Sequence, residues 1–132
     1  MGAWGPGPFE NDDAMDWLDD LEERGETAIR AALDGAIGKG QPDASAAASA
    51  IAAAAIIAAS GESTSIELPE DARAWLEQHE IVLRDPLASR ARESINRVAR
   101  DSELRELWDE SAELEDWLAA IEQISSTLGS QA

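Results

Sequence analysis

The densest run of side chains able to do chemistry lies near the N-terminus, where Asp12, Asp13, Asp16, Asp19, Asp20, Glu22 and Glu23 crowd together. Asp12, Asp16, Asp19 and Glu23 recur at i, i+4, i+7 and i+11, so a helix aligns them along one face, opposite much of the apolar stripe. Three chemistries suit such a row. Carboxylates hold hard cations such as Ca²⁺ or Mg²⁺, a carboxyl pushed up in pKa does acid–base work, and an unpaired acidic face attracts a basic protein. The row lacks the loop and glycine of an EF-hand, and a straight helix wraps an ion poorly, so no metal ligands are assigned. A second acidic zone comprises Glu103, Glu106, Asp109, Glu110, Glu113, Glu115 and Asp116.

Other reactive chemistry is sparse. The chain has no cysteine, which excludes disulfides, thiolate zinc sites and cysteine nucleophiles. Its one histidine, His79, has no second histidine with which to build a zinc site and no nucleophile elbow to serve. It is expected to cap the negative end of a helix. The glycines of Trp4-Gly5-Pro6-Gly7-Pro8-Phe9 follow no strand and are joined by no Lys or Ser, so they make no phosphate cradle. No catalytic residue and no cofactor are assigned.

The elements that position these groups are helical. Residues 1–10 form a Gly/Pro-rich arm whose aromatics, Trp4 and Phe9, are expected to dock on the body. Asn11-Asp12-Asp13 starts a helix that Gly25 ends, with Ala14, Trp17, Leu18 and Leu21 inward. A second helix is predicted over Glu26–Ile37 and an Ala-rich third over Asp43–Ser60. The third is apolar nearly all round, so neighbours must cover it, which makes it the spine. After a polar loop from Glu62 to Leu68, Pro69 is read as the first residue of a fourth helix fading near His79, and Asp85-Pro86 opens a fifth. A short helix begins at Asp101 or Ser102. A last one runs from near Ser111 with Leu114, Trp117, Leu118, Ile121, Ile124 and Leu128 inward, stopped by Gly129. The fold class is all-α: an irregular bundle of six to seven helices around the Ala-rich one, in a single domain of residues 1–132.

Charge bounds the partners. Ten Lys and Arg face 28 Asp and Glu, a formal charge of −18, which repels nucleic acid and anionic membrane and favours basic partners. Six of the ten cations, Arg84, Arg90, Arg92, Arg97, Arg100 and Arg105, are expected to pair with the acidic helices. The 18 uncharged residues from Ala44 to Gly61 are mostly alanine and suit a buried helix better than a membrane span. The N-terminus has no basic or apolar leader region. A soluble cytoplasmic protein is expected.

Two segments carry a resemblance. Met1-Gly2-Ala3-Trp4-Gly5-Pro6-Gly7-Pro8-Phe9-Glu10-Asn11-Asp12-Asp13-Ala14, followed by Asp16-Trp17-Leu18, resembles the opening of the bacterial family known as domain of unknown function 4259. Ser102-Glu103-Leu104-Arg105-Glu106-Leu107-Trp108-Asp109-Glu110 is similar to that family's C-terminal signature. The resemblance implies a bacterial, free-standing helical protein and brings no catalytic residues with it. It points first to the motif positions, read either as architecture or as a recognition surface of Trp4, Phe9, Asn11, Asp12, Asp13, Asp16, Asp19 and Asp20. The functional expectation is a non-enzymatic acidic module, immunity- or inhibitor-like, that binds a basic protein. The alternatives are a carboxylate-based metal- or small-ligand-binding protein or enzyme, and a self-associating helical scaffold.

Overall fold

The computed structural model describes residues 5–38, 40–60, 66–79 and 85–131. Trp4, Arg84 and most of the loop expected after the Ala-rich helix lie outside the described residues. Seven helices are present among the described residues: α1 Asp12–Arg24, α2 Glu26–Gly35, α3 Ala44–Ala59, α4 Glu70–Gln78, α5 Asp85–Arg100, α6 Glu103–Asp109 and α7 Leu114–Gln131. No strand occurs among the described residues, and the chain is an all-α bundle.

Three helices start where a short polar side chain replaces the missing intrahelical acceptor. Asn11 Oδ1 accepts from Ala14 N at 2.8 Å, Asp43 Oδ1 from Ala46 N at 2.8 Å, and Ser102 Oγ from Arg105 N at 2.9 Å. Between α1 and α2 the chain turns at Gly25, whose φ of 59° is a left-handed value that favours glycine.

Helix α3 is the centre. Every residue from Ile51 to Ala58 is buried, a run longer than two turns, so every side of the helix is covered. The covering helices are α1, α2, α5, α6 and α7. Alanine makes this crowding physically reasonable, because a methyl group lets neighbouring backbones approach closely. Around this spine α5 presents Leu87, Ala91, Ile95 and Val98, and α7 presents Trp117, Ile121, Ile124 and Leu128. Helix α4 leans on α1, burying Ala72 and Trp75. The apolar interior is continuous from Phe9 to Leu128.

Two buried hydroxyls tie helices together. Ser94 Oγ donates to Leu33 O at 3.1 Å, linking α5 to α2. Ser102 Oγ donates to Val98 O at 2.8 Å while capping α6, so one side chain closes α5 and opens α6. The starts of α3 and α6 also grip each other: Glu103 N donates to Pro42 O at 2.9 Å, and Glu103 Oε1 accepts from Ala44 N at 2.9 Å.

Several boundaries differ from expectation. Helix α2 ends at Gly35, because Ala36 N and Ile37 N bond three residues back, to Leu33 O and Asp34 O, in a tighter turn. Pro69 caps α4 from outside instead of occupying its first position. Helix α7 begins at Leu114 and runs through Gly129 to Gln131. Helix α7 packs against α5, and a Cβ at Gly129 would make an ordinary contact, 3.5 Å from the Arg92 guanidinium carbon. Tertiary contact overrides the glycine's cost of about 1 kcal/mol relative to alanine.

Candidate functional site

The N-terminal arm folds onto itself before reaching α1. Glu10 N donates to Gly7 O at 3.2 Å, and Gly7 N donates to Glu10 Oε1 at 2.9 Å. The Glu10 carboxylate thereby lies where side chains at Gly5 and Gly7 would project, so a side chain at either position would displace it. Phe9 is buried and anchors the arm in the core, as docking of the arm predicts.

Beneath the arm is a cavity of about 170 Å³. Pro6, Gly7 and Pro8 form one side, Ala44, Ala48 and Ile51 of α3 another, and Leu104, Leu107, Trp108, Trp117, Ala120 and Ile121 of α6 and α7 the rest. Trp108 and Trp117 stack with ring centroids 6.4 Å apart and planes 17° from parallel. Asn11 and Asp13 bring polarity to the lining. The Asn11 oxygen is committed to its cap, and the half-buried Asp13 carboxylate accepts one long hydrogen bond, from Ser45 Oγ at 3.4 Å. The cavity is where the N-terminal segment and the Ser102–Glu110 segment meet, although some ninety residues separate them in the chain. On the far side of the arm a broader cleft of about 730 Å³ runs past Phe9, Met15, Ile66 and Ile124.

The described members of the expected recognition surface divide into four groups. Phe9 is buried, Asn11 and Asp13 are half-buried at the cavity, and Asp12, Asp16 and Asp19 are exposed. Asp20 is bound by Arg24, whose Nε reaches Asp20 Oδ1 at 2.7 Å in a two-pronged contact. This hydrogen bonding holds the Asp20 carboxyl below the ordinary aspartate range and raises Arg24 correspondingly. Trp4 lies outside the described residues.

The cations are used elsewhere. Ion pairs among the described residues join Arg24 to Asp20, Arg30 to Glu26, Arg90 to Asp34 and Glu93, and Arg97 to Asp101. None engages Asp12, Asp16, Asp19 or Glu23, and none engages the acids of residues 103–116. The arginines of α5 and α6 were expected to pair with acidic helices, yet two serve backbone carbonyls. Arg97 donates to Gly40 O at 2.6 Å and Arg105 to Ala99 O at 2.6 Å. Ala99 lies in the last turn of α5, where carbonyls carry partial negative charge, and both carbonyls sit at a fixed distance, so they compete well with mobile surface carboxylates.

The remaining polar features are architectural. His79 Nδ1 donates to Trp75 O at 2.9 Å, and its ring stacks on Trp75 at 4.6 Å, in the helix-ending position expected for it. The indole N–H groups of Trp17 and Trp75 are buried with no acceptor among the described residues. Among the described residues no three His, Cys, Asp or Glu side chains converge in a way that could hold a metal ion. Nor is any helix among them long and apolar enough to cross a membrane.

Sequence reasoning missed most of the cavity wall. Trp117 and Ile121 read as bundle seam, and Ala48 and Ile51 as spine. The available signals were the two motif segments, whose Pro6, Gly7, Pro8, Asn11 and Asp13 on one hand and Leu104, Leu107 and Trp108 on the other all line the cavity.

Fold and surface together define a class: an all-α bundle with an acidic exterior, built around an alanine-rich helix, with an arm closing over an apolar cavity. The chain belongs to the family described as a domain of unknown function (DUF4259), whose model matches residues 2–120. No curated protein and no solved structure matches it.

Proposed function

We propose that this protein is a non-enzymatic binding module whose acidic face engages a basic protein, in the manner of an immunity protein or inhibitor. One observation carries the reading. Asp12, Asp16, Asp19 and Glu23 line one face of α1, all exposed, and none makes an ion pair among the described residues. A protein with 28 acids and 10 bases tolerates the self-repulsion of that face in the absence of a partner. A basic protein relieves the repulsion on binding, and the attraction also steers its approach, raising association rates by roughly 10–1,000-fold at low salt. Desolvation of the individual rim charges keeps their net contribution to affinity modest, so kinetics is the more sensitive readout.

The test is capture from the host's extract, with the tagged protein as bait at low ionic strength. The reading expects a stoichiometric basic protein that is lost when Asp12, Asp16 and Asp19 are changed together to Asn. Those three side chains make no hydrogen bond among the described residues, so the variant retains its fold, which circular dichroism verifies. A folded bait that captures nothing basic, or a partner retained by the triple variant, refutes the proposal.

A further inference from the structure

We infer that the cavity beneath the arm is a binding site for a small organic cation, a ring-sized apolar body carrying one ammonium or guanidinium group. This site uses Asp13 and the cavity walls, not the outer face of α1, so it stands or falls independently of the protein-partner reading.

Size sets the body of the ligand. A cavity of about 170 Å³ is close to the roughly 150 Å³ that suffices for benzene in an engineered apolar cavity. Its walls are Ala48, Ile51, Leu104, Trp108, Trp117 and Ile121, and they offer water few hydrogen bonds. Replacing that water with hydrocarbon is favourable in proportion to the apolar area covered.

Charge sets the head. Asp13 is the one ionisable side chain in the described lining, and no Lys, Arg or His there neutralises it. Among the described residues its carboxylate accepts only the long bond from Ser45, which leaves acceptor capacity for a ligand. Being half-buried, it is screened less than a fully exposed carboxylate. An anion is repelled here, and a neutral donor gains the hydrogen bond without the ionic attraction. A cation gains a charge-assisted hydrogen bond to Asp13 and attraction to the stacked Trp108–Trp117 pair.

The test is calorimetric titration of the full chain with three probes of one size: benzylammonium, benzyl alcohol and benzoate. Benzylammonium is expected to bind about tenfold more tightly than benzyl alcohol, and benzoate not to bind. Asp13→Asn is expected to abolish the preference for benzylammonium over benzyl alcohol. Ala48→Leu, which projects a larger side chain into the cavity, is expected to abolish binding of both. Ala120→Leu serves the same purpose if Ala48→Leu fails to fold. Equal binding of the ammonium and the alcohol overturns the inference, as does a preference that survives Asp13→Asn. So does binding that survives a folded cavity-filling variant, or no binding of any probe up to about 10 mM, an affinity well within reach of a ligand this small.

Discussion

Replacing Ala54 by leucine probes the reason α3 can be central at all. Ala54 is fully buried in the middle of the helix. Alanine and leucine have nearly equal helix propensity, so the exchange changes packing and little else. Leucine adds three carbon atoms. If the neighbours left room, their burial would stabilise the fold by about 0.8 kcal/mol each, roughly 2.4 kcal/mol in all. Ala54 lines neither the cavity beneath the arm nor the broader cleft, and Ile51–Ala58 is buried throughout under five covering helices, so the added atoms meet packed neighbours. Overpacking then forces strained rotamers or backbone shifts that cost about 1–3 kcal/mol. For a chain of this length that lowers Tm by roughly 4–12 °C. Thermal unfolding followed by circular dichroism measures it, with exposed Ala119→Leu on α7 as the control, expected within about 0.5 kcal/mol of the parent. An unchanged or raised Tm for Ala54→Leu would refute the close-packed spine.

Other perturbations have expected outcomes. Asn11→Ala removes the α1 cap and is expected to cost about 1 kcal/mol in urea unfolding, whereas Asn11→Asp retains most of it. Ser102→Ala removes both the α6 cap and the bond to Val98 O, and is expected to cost more, about 2 kcal/mol; equal losses for the two variants would show that the second bond contributes nothing. In an NMR pH titration the Asp20 carboxyl is expected to titrate below the ordinary aspartate value of about 3.9, and to return to it in Arg24→Gln. Because the folded-state pKa is depressed, the pair's contribution is present above the unfolded value and lost as pH falls through the folded one. It is small, since both side chains meet solvent.

The parts of this fold that were legible in the sequence are those decided locally. Asn11, Asp43 and Ser102 each announce a helix start because a short polar side chain at that place bonds a free backbone N–H, whatever the rest of the chain does. The centrality of α3 was legible for a related reason: a helix apolar on all sides has no stable position except under others. What depended on distant partners was not. Gly129 reads as a stop until α7 is seen to continue past it against α5, and nothing in the sequence tells that Arg97, besides pairing with Asp101, reaches the Gly40 carbonyl. For the candidate site the division is the same. The acidic face of α1 follows from spacing alone. The cavity needs the arm, α3, α6 and α7 brought together, and no local pattern encodes that meeting.

The central claim is that the exposed acids of α1 recruit a basic protein by charge. Its most direct test is stopped-flow association of the captured partner with the protein at about 50 and about 500 mM salt, where screening shrinks the reach of surface charge from over 10 Å to a few ångströms. The association rate is expected to fall at least tenfold with salt, with a flatter dependence when Asp12, Asp16 and Asp19 are replaced by Asn. A rate indifferent to salt, or a salt dependence that the triple variant leaves unchanged, would contradict it.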